Sequence, residues 1–154
     1  MWALLAVSLL LGELKAVGQT ELSVLWFPVY RATLYSDDGH YGGIEPPLLL
    51  QLEYRRDISR QALLEHTKQE WLKLGIDKRF DVQPWIEQLQ LLWPQISKGD
   101  QLVFHFGETQ SSFYYNQRQL GHIDDANFGA AFAAIWLDEG ASYPRHRLEL
   151  IGAK

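Results

Sequence analysis

Phe113–Leu137, FYYNQRQLGHIDDANFGAAFAAIWL, is the stretch whose reading decides the fold. Phe113–Tyr115 closes an aromatic strand that begins at Ser111, Asn116-Gln117 supplies a polar hairpin turn, and Gln119–Ile123 returns as a second strand. Asp124 or Asp125 then caps a helix, where a carboxylate accepts from orphan backbone N–H groups and sits well against the helix dipole. Phe128, Ala131, Phe132, Ile135 and Trp136 recur at helical spacing and give that helix an apolar face. Two strands joined by so short a turn must run antiparallel, and the helix that follows has to bury its face on them.

The same reading extends upstream. Lys98-Gly99-Asp100 is a turn and Leu102–Phe106 a strand. Ser59 caps a helix that runs to about Leu74 and stops at Gly75, and Asp81 starts a second that tolerates Pro84 only near its beginning. Ile86, Leu89 and Trp93 form that helix's stripe, and Pro94 ends it. In Leu48–Asp57, Leu48, Leu50, Leu52 and Tyr54 fall on one face, with Gln51, Glu53 and Arg55 on the other, which describes a half-buried strand. Glu21–Asp37 reads as one or two strands, with Leu22, Val24 and Trp26 on a common face and Pro28 at a bulge or edge. Asp37–Gly43 has the chemistry of a turn, and Pro144 opens a short terminal helix carrying Leu148 and Ile151. Strands, helices, strands and helix in that order predict an α+β domain: a largely antiparallel sheet covered by helices on one face.

Length fits a single domain with one real core. The formal charge is -5 with acids and bases interspersed, so no basic stripe invites nucleic acid or an anionic membrane surface. The absence of cysteine excludes disulfides, thiol catalysis and thiolate metal sites. The six tryptophans serve as core anchors or as a ligand-stacking surface. Trp2–Leu11 is an apolar run too short to span a bilayer, which takes roughly 20 residues. Its length suits the core of a secretory signal, although no Lys or Arg precedes it, and a buried N-terminal segment is the other reading. Residues 1–16 are therefore a possible signal peptide or N-terminal apolar segment, and 17–154 the domain.

Val29–Tyr35, Leu52–Ile58 with its following helix, Asp100–Phe106, Phe113–Gly121 and Phe128–Leu137, in that order and spacing, resemble the chalcone isomerase superfamily, specifically its bacterial chalcone isomerase-like branch. The resemblance implies an open-faced β-sandwich whose cleft, between sheet and helices, holds the ligand. It implies that chain types range from chalcone cyclases to fatty-acid binders to members with no known catalysis. Export signals are frequent in the bacterial branch, which favours a periplasmic or secreted location over a cytoplasmic one. The isomerase chemistry of the superfamily calls for an arginine about a dozen residues before the Tyr30 region, and no arginine precedes Arg31. Thr33 lies near the expected catalytic threonine but in a different register, and a one-residue slip reverses the face. Without preorganised donors for developing negative charge, chalcone isomerase activity is not expected.

The candidate ligand-binding residues are Arg31, Tyr30, Arg55 and Tyr114. Arg31 can grip a carboxylate from a cleft or snorkel outward. Arg55 and Arg56 face opposite sides of a strand end, as do Tyr114 and Tyr115, so one of each pair can reach a ligand. His40, His66, His105, His122 and His146 form no close helical pair of the metal-binding type, and no metal or cofactor is expected. The expected partner is a small apolar or amphipathic ligand such as a fatty acid, with neither nucleic acid nor an integral membrane span. Two alternatives stay open: an isomerase or lyase with a non-plant residue set, and a structural, partner-binding envelope protein.

Overall fold

The computed structural model describes residues 12–153. The apolar run Trp2–Leu11 lies outside the described residues. Six strands form one antiparallel sheet: β1 Lys15–Val24, β2 Phe27–Ser36, β3 Leu48–Tyr54, β4 Gln101–Phe106, β5 Ser111–Tyr115 and β6 Arg118–Ile123, paired in chain order. Helices α1 Arg60–Leu74 and α2 Gln83–Leu92 lie between β3 and β4, while α3 Phe128–Leu137 and α4 Pro144–Leu150 follow β6. β1 starts two residues before the boundary expected at Val17.

The helix ends follow local chemistry. Ser59 accepts from Ala62 N at 3.0 Å and caps α1, and Gly75, at φ 72°, ends it with its N–H turned back to Leu72 O. Asp81 Oδ1 accepts from Gln83 N at 3.2 Å ahead of α2, and Pro84 sits in its first turn. Asp124 and Asp125 do not cap α3. Asn127 holds the N-cap position, and the Asp125 carboxylate instead accepts from Asn127 N at 2.8 Å, bracing the turn ahead of the helix. The extra residues between Asp125 and Phe128 carry the chain up from the sheet before the helix can begin.

Alternation divides each strand between two faces. Ala32, Leu34, Leu50, Leu52, Leu102, Phe104 and Phe113 face the helices and share one core with Leu64, Trp71, Leu89, Phe128 and Phe132. A second, smaller cluster on the opposite face joins Leu14, Leu49, Val103 and Tyr114, with Tyr35 against it. Trp71 Nε1 donates to Ala131 O at 2.9 Å, tying α1 to α3 through a fully buried bond. Its ring meets Trp85 and Phe128 edge-on at 5.4 and 6.3 Å, a geometry that aromatic quadrupoles favour. Small residues set the closest approaches. A Cβ on Gly129 would come within 2.4 Å of the Phe106 ring, so α3 lies against β4 only because that position is bare. A Cβ on Gly18 would reach Glu149 O at 2.2 Å, which fixes how closely α4 lies across β1.

The β1–β2 connection departs from the sequence reading. Pairing continues to Val24 and Phe27, leaving a two-residue turn at Leu25-Trp26. Trp26, placed by alternation on the Leu22 face, is 88% exposed. The register shifts between Leu22 and Ser23, opposite Pro28, so the proline does sit at a bulge.

Candidate functional site

One end of the core is filled and the other is open. At the filled end Leu34, Leu48, Leu50, Phe104, Ala133 and Leu137 leave a gap of only about 10 Å³. At the other end, where β1 and β3 finish and β2 and β4 begin, a cavity of about 420 Å³ opens to solvent. That size lies within the roughly 300–1,000 Å³ common to small-molecule pockets. Its floor is the sheet, through Leu22, Tyr30, Leu52, Tyr54 and Leu102. The N-terminal half of α1 gives one wall through Leu63 and Thr67, and α3 the other through Phe132, Ile135 and Trp136. Tyr143, just before α4, closes part of the rim.

Few polar groups interrupt this lining. Tyr30 and Tyr54 are cross-strand partners whose rings meet edge-on at 5.9 Å. Trp136 Nε1 donates to the Tyr30 hydroxyl at 2.9 Å. Burial pushes the Tyr30 hydroxyl pKa well up, against the smaller opposing effect of the Trp136 bond; burial and then the neighbouring Tyr30 push Tyr54 up as well. Both are therefore neutral hydrogen-bonding groups rather than bases or nucleophiles at ordinary pH. Thr67 spends its hydroxyl on Leu63 O at 2.8 Å, as helical threonines do. Trp93 presents its ring to the cavity, and its buried Nε1–H has no acceptor among the described residues. Arg56, Asp57 and His66 stand exposed at the rim. Arg56 makes no ion pair among the described residues, so its guanidinium is the cation available to a ligand's polar end.

Of the residues singled out from sequence, Tyr30 lines the cavity. Arg31 faces the other side of the sheet, where it meets Glu21 Oε1 at 3.4 Å. Arg55 shares that carboxylate at 3.2 Å and reaches Glu53 at 3.7 Å. Tyr114 packs into the small cluster on the sheet's second face. Thr33 also points away from the cavity, accepting from Gln19 Nε2 at 3.4 Å. Arg56 and Tyr54 take the places in the lining that Arg55 and Tyr114 were expected to fill. The signal for Arg56 is strand parity: it is in phase with Leu52 and Tyr54, whereas Arg55 is in phase with Glu53. Among the described residues no cluster of His, Asp or Glu is placed to hold a metal ion, and no helix is long and apolar enough to cross a membrane.

Residues 13–143 match the family described as chalcone isomerase-like. An uncharacterised protein of Haemophilus influenzae is 30% identical over 140 residues, which span 90% of this chain and 68% of that protein. Among solved structures, a fatty-acid binding protein of Arabidopsis thaliana superposes with a TM-score of 0.70 at 12% identity, over 92% of this chain and 88% of that one. The six-stranded antiparallel sheet and the four helices named above, taken among the described residues, are thus shared at the level of fold.

Proposed function

This chain belongs to the chalcone isomerase-like family, and from that premise we propose that it is a non-catalytic binding protein whose cavity takes a single-chain amphipathic ligand such as a fatty acid. The observation that carries the reading is the cavity of about 420 Å³, apolar along its floor and walls, with an arginine at the rim that makes no ion pair among the described residues. A hydrocarbon tail fits the space between Leu52, Leu102, Leu63, Phe132 and Trp136, and a carboxylate fits the charge of Arg56. A chain burying about ten methylenes gains about 8 kcal/mol, which corresponds to a micromolar Kd before the ordering costs of binding are subtracted.

Chalcone cyclisation is not part of the proposal. Thr33 faces away from the cavity, and the cavity's two tyrosines are held neutral by burial. The test is native mass spectrometry of the purified protein, followed by thermal shift across saturated fatty acids of increasing length. Bound lipid, or a rise in Tm that peaks at one chain length, supports the reading; an empty protein indifferent to every chain length sinks it. We also propose a periplasmic or secreted location, motivated by the apolar run Trp2–Leu11. Cell fractionation with N-terminal sequencing of the mature chain tests this, and an intact N-terminus in the cytoplasmic fraction would exclude it.

A further inference from the structure

The β1–β2 hairpin ends in four consecutive apolar residues that the fold leaves outside. Val24 is 44% exposed, Leu25 79%, Trp26 88% and Phe27 61%. Turns of this length draw glycine, asparagine or aspartate because the backbone passes through positive φ. Here Leu25 holds φ 60°, so an apolar side chain occupies a strained turn position and faces water as well. Neither feature helps the chain fold, since the hairpin would close more readily on a polar, turn-forming pair.

We propose that this tip docks the protein on a lipid bilayer, inserting Leu25, Trp26 and Phe27 into the interface of a zwitterionic membrane. The tip adjoins the cavity, because Val24 and Val29, on either side of the turn, line its mouth. An apolar opening and an apolar projection thus share one end of the molecule. Tryptophan and phenylalanine favour the depth where headgroups meet acyl chains. A protein partner is a poorer fit. A specific protein interface buries about 800 Å² on each side, and one tight turn falls well short of that. Electrostatic adsorption is a poorer fit too. Arg31 and Arg55 at the base of the hairpin are already engaged with Glu21 and Glu53, and the whole chain carries a net charge of -5. Attachment therefore rests on apolar insertion and needs no anionic lipid. The docking is independent of which ligand the cavity holds, so it stands or falls separately from fatty-acid binding.

Flotation of the full chain with phosphatidylcholine vesicles tests the proposal. The wild-type protein should float with the vesicles, with little change between low and high salt. The double substitution Leu25→Ser and Trp26→Ser should reduce partitioning roughly tenfold or more, as loss of inserted apolar area requires, with melting temperature unchanged because both side chains are already in water. Trp26→Phe should still float, but it should lose the part of the tryptophan fluorescence that brominated acyl chains quench in the wild type. Absence of flotation overturns the proposal, as does flotation unaffected by the double substitution. Binding restricted to phosphatidylglycerol vesicles and abolished by salt overturns it in favour of Coulombic adsorption. A dimer that the double substitution dissolves, without vesicle binding, overturns it in favour of self-association.

Discussion

Arg55 and Arg56 are adjacent in sequence, yet they serve opposite sides of the sheet. Arg55 is held by Glu21 and Glu53, while Arg56 reaches the cavity rim with no ion pair among the described residues. Replacing Arg56 by Gln should weaken binding of a fatty acid about tenfold and leave the matching fatty alcohol unchanged, since only the carboxylate uses the guanidinium. Competition titration with the acid and alcohol pair measures this, and equal losses for both would remove Arg56 from the head-group role. Tyr30→Phe should lower stability by roughly 1–2 kcal/mol, because the Trp136 indole N–H loses its acceptor in a half-buried setting; urea denaturation reads it. At this scale Tyr30 is the one expected site residue that lies in the lining, in phase with Ala32 and Leu34 of its strand; Tyr114, also expected there, packs on the other face, and Tyr54, in phase with Leu50 and Leu52, lines the cavity instead. The choice between arginines turned on carrying the phase of Leu52 and Tyr54 past the end of β3 to Arg56, a parity signal that the expectation of Arg55 did not use.

Between elements, α4 is fastened to β1 by a compact polar contact. Thr20, buried in β1, donates to Glu149 Oε1, and its oxygen lies 2.6 Å from His146 Nδ1. One hydroxyl proton cannot serve both partners, so with Glu149 as its acceptor the His146 Nδ1–H must donate to Thr20. The Thr20 hydrogen bond, foremost, holds the Glu149 carboxyl below the usual carboxylate range. A depressed carboxyl pKa means that the folded state favours the ionised form. Its contribution is therefore present at pH values above the ordinary carboxylate pKa and is lost as pH falls through the depressed value. Thr20→Val should lower stability at neutral pH by roughly 1–2 kcal/mol and flatten the acid limb of a stability–pH curve. An unchanged acid limb would mean that Glu149 is stabilised without Thr20. Helix limits were legible at this scale from Ser59 and Gly75, whose capping chemistry is local. The Leu25-Trp26 turn was not, because neither residue carries turn chemistry and both look like a continuing strand.

Across the whole molecule, packing is uneven. Near Ala133 the sheet and α3 meet with almost no free space, whereas beside Leu63, on α1, the sheet and the helices stand apart. Two enlargements should therefore behave differently. Ala133→Leu should destabilise by roughly 1–3 kcal/mol through overpacking. Leu63→Trp should be absorbed by the cavity with little change in Tm while lowering fatty-acid affinity. Similar destabilisation by both substitutions in paired thermal melts would argue that the cavity collapses in solution. The layered α+β architecture could be read from alternation and helical spacing, which each segment carries by itself. The cavity could not, because an internal void depends on how far apart finished elements settle, and no single segment records that distance.

The strands lie in the sheet in the order in which they occur in the chain, so the ladders β1–β2, β2–β3, β4–β5 and β5–β6 join segments that are close in sequence, whereas β3–β4 pairs across the stretch 55–100 that holds α1 and α2. Local pairing of this kind can form early and piecemeal. The contact of α4 with β1 at Gly18 is different, since it joins opposite ends of the described chain. Contacts of that sort are the ones most readily given up in partial opening. Tyr143, at the root of α4, is also part of the cavity's rim. Amide exchange should therefore be fastest in α4 and the facing part of β1, and the same fraying that exposes those amides would widen the way into the cavity without unfolding the sheet.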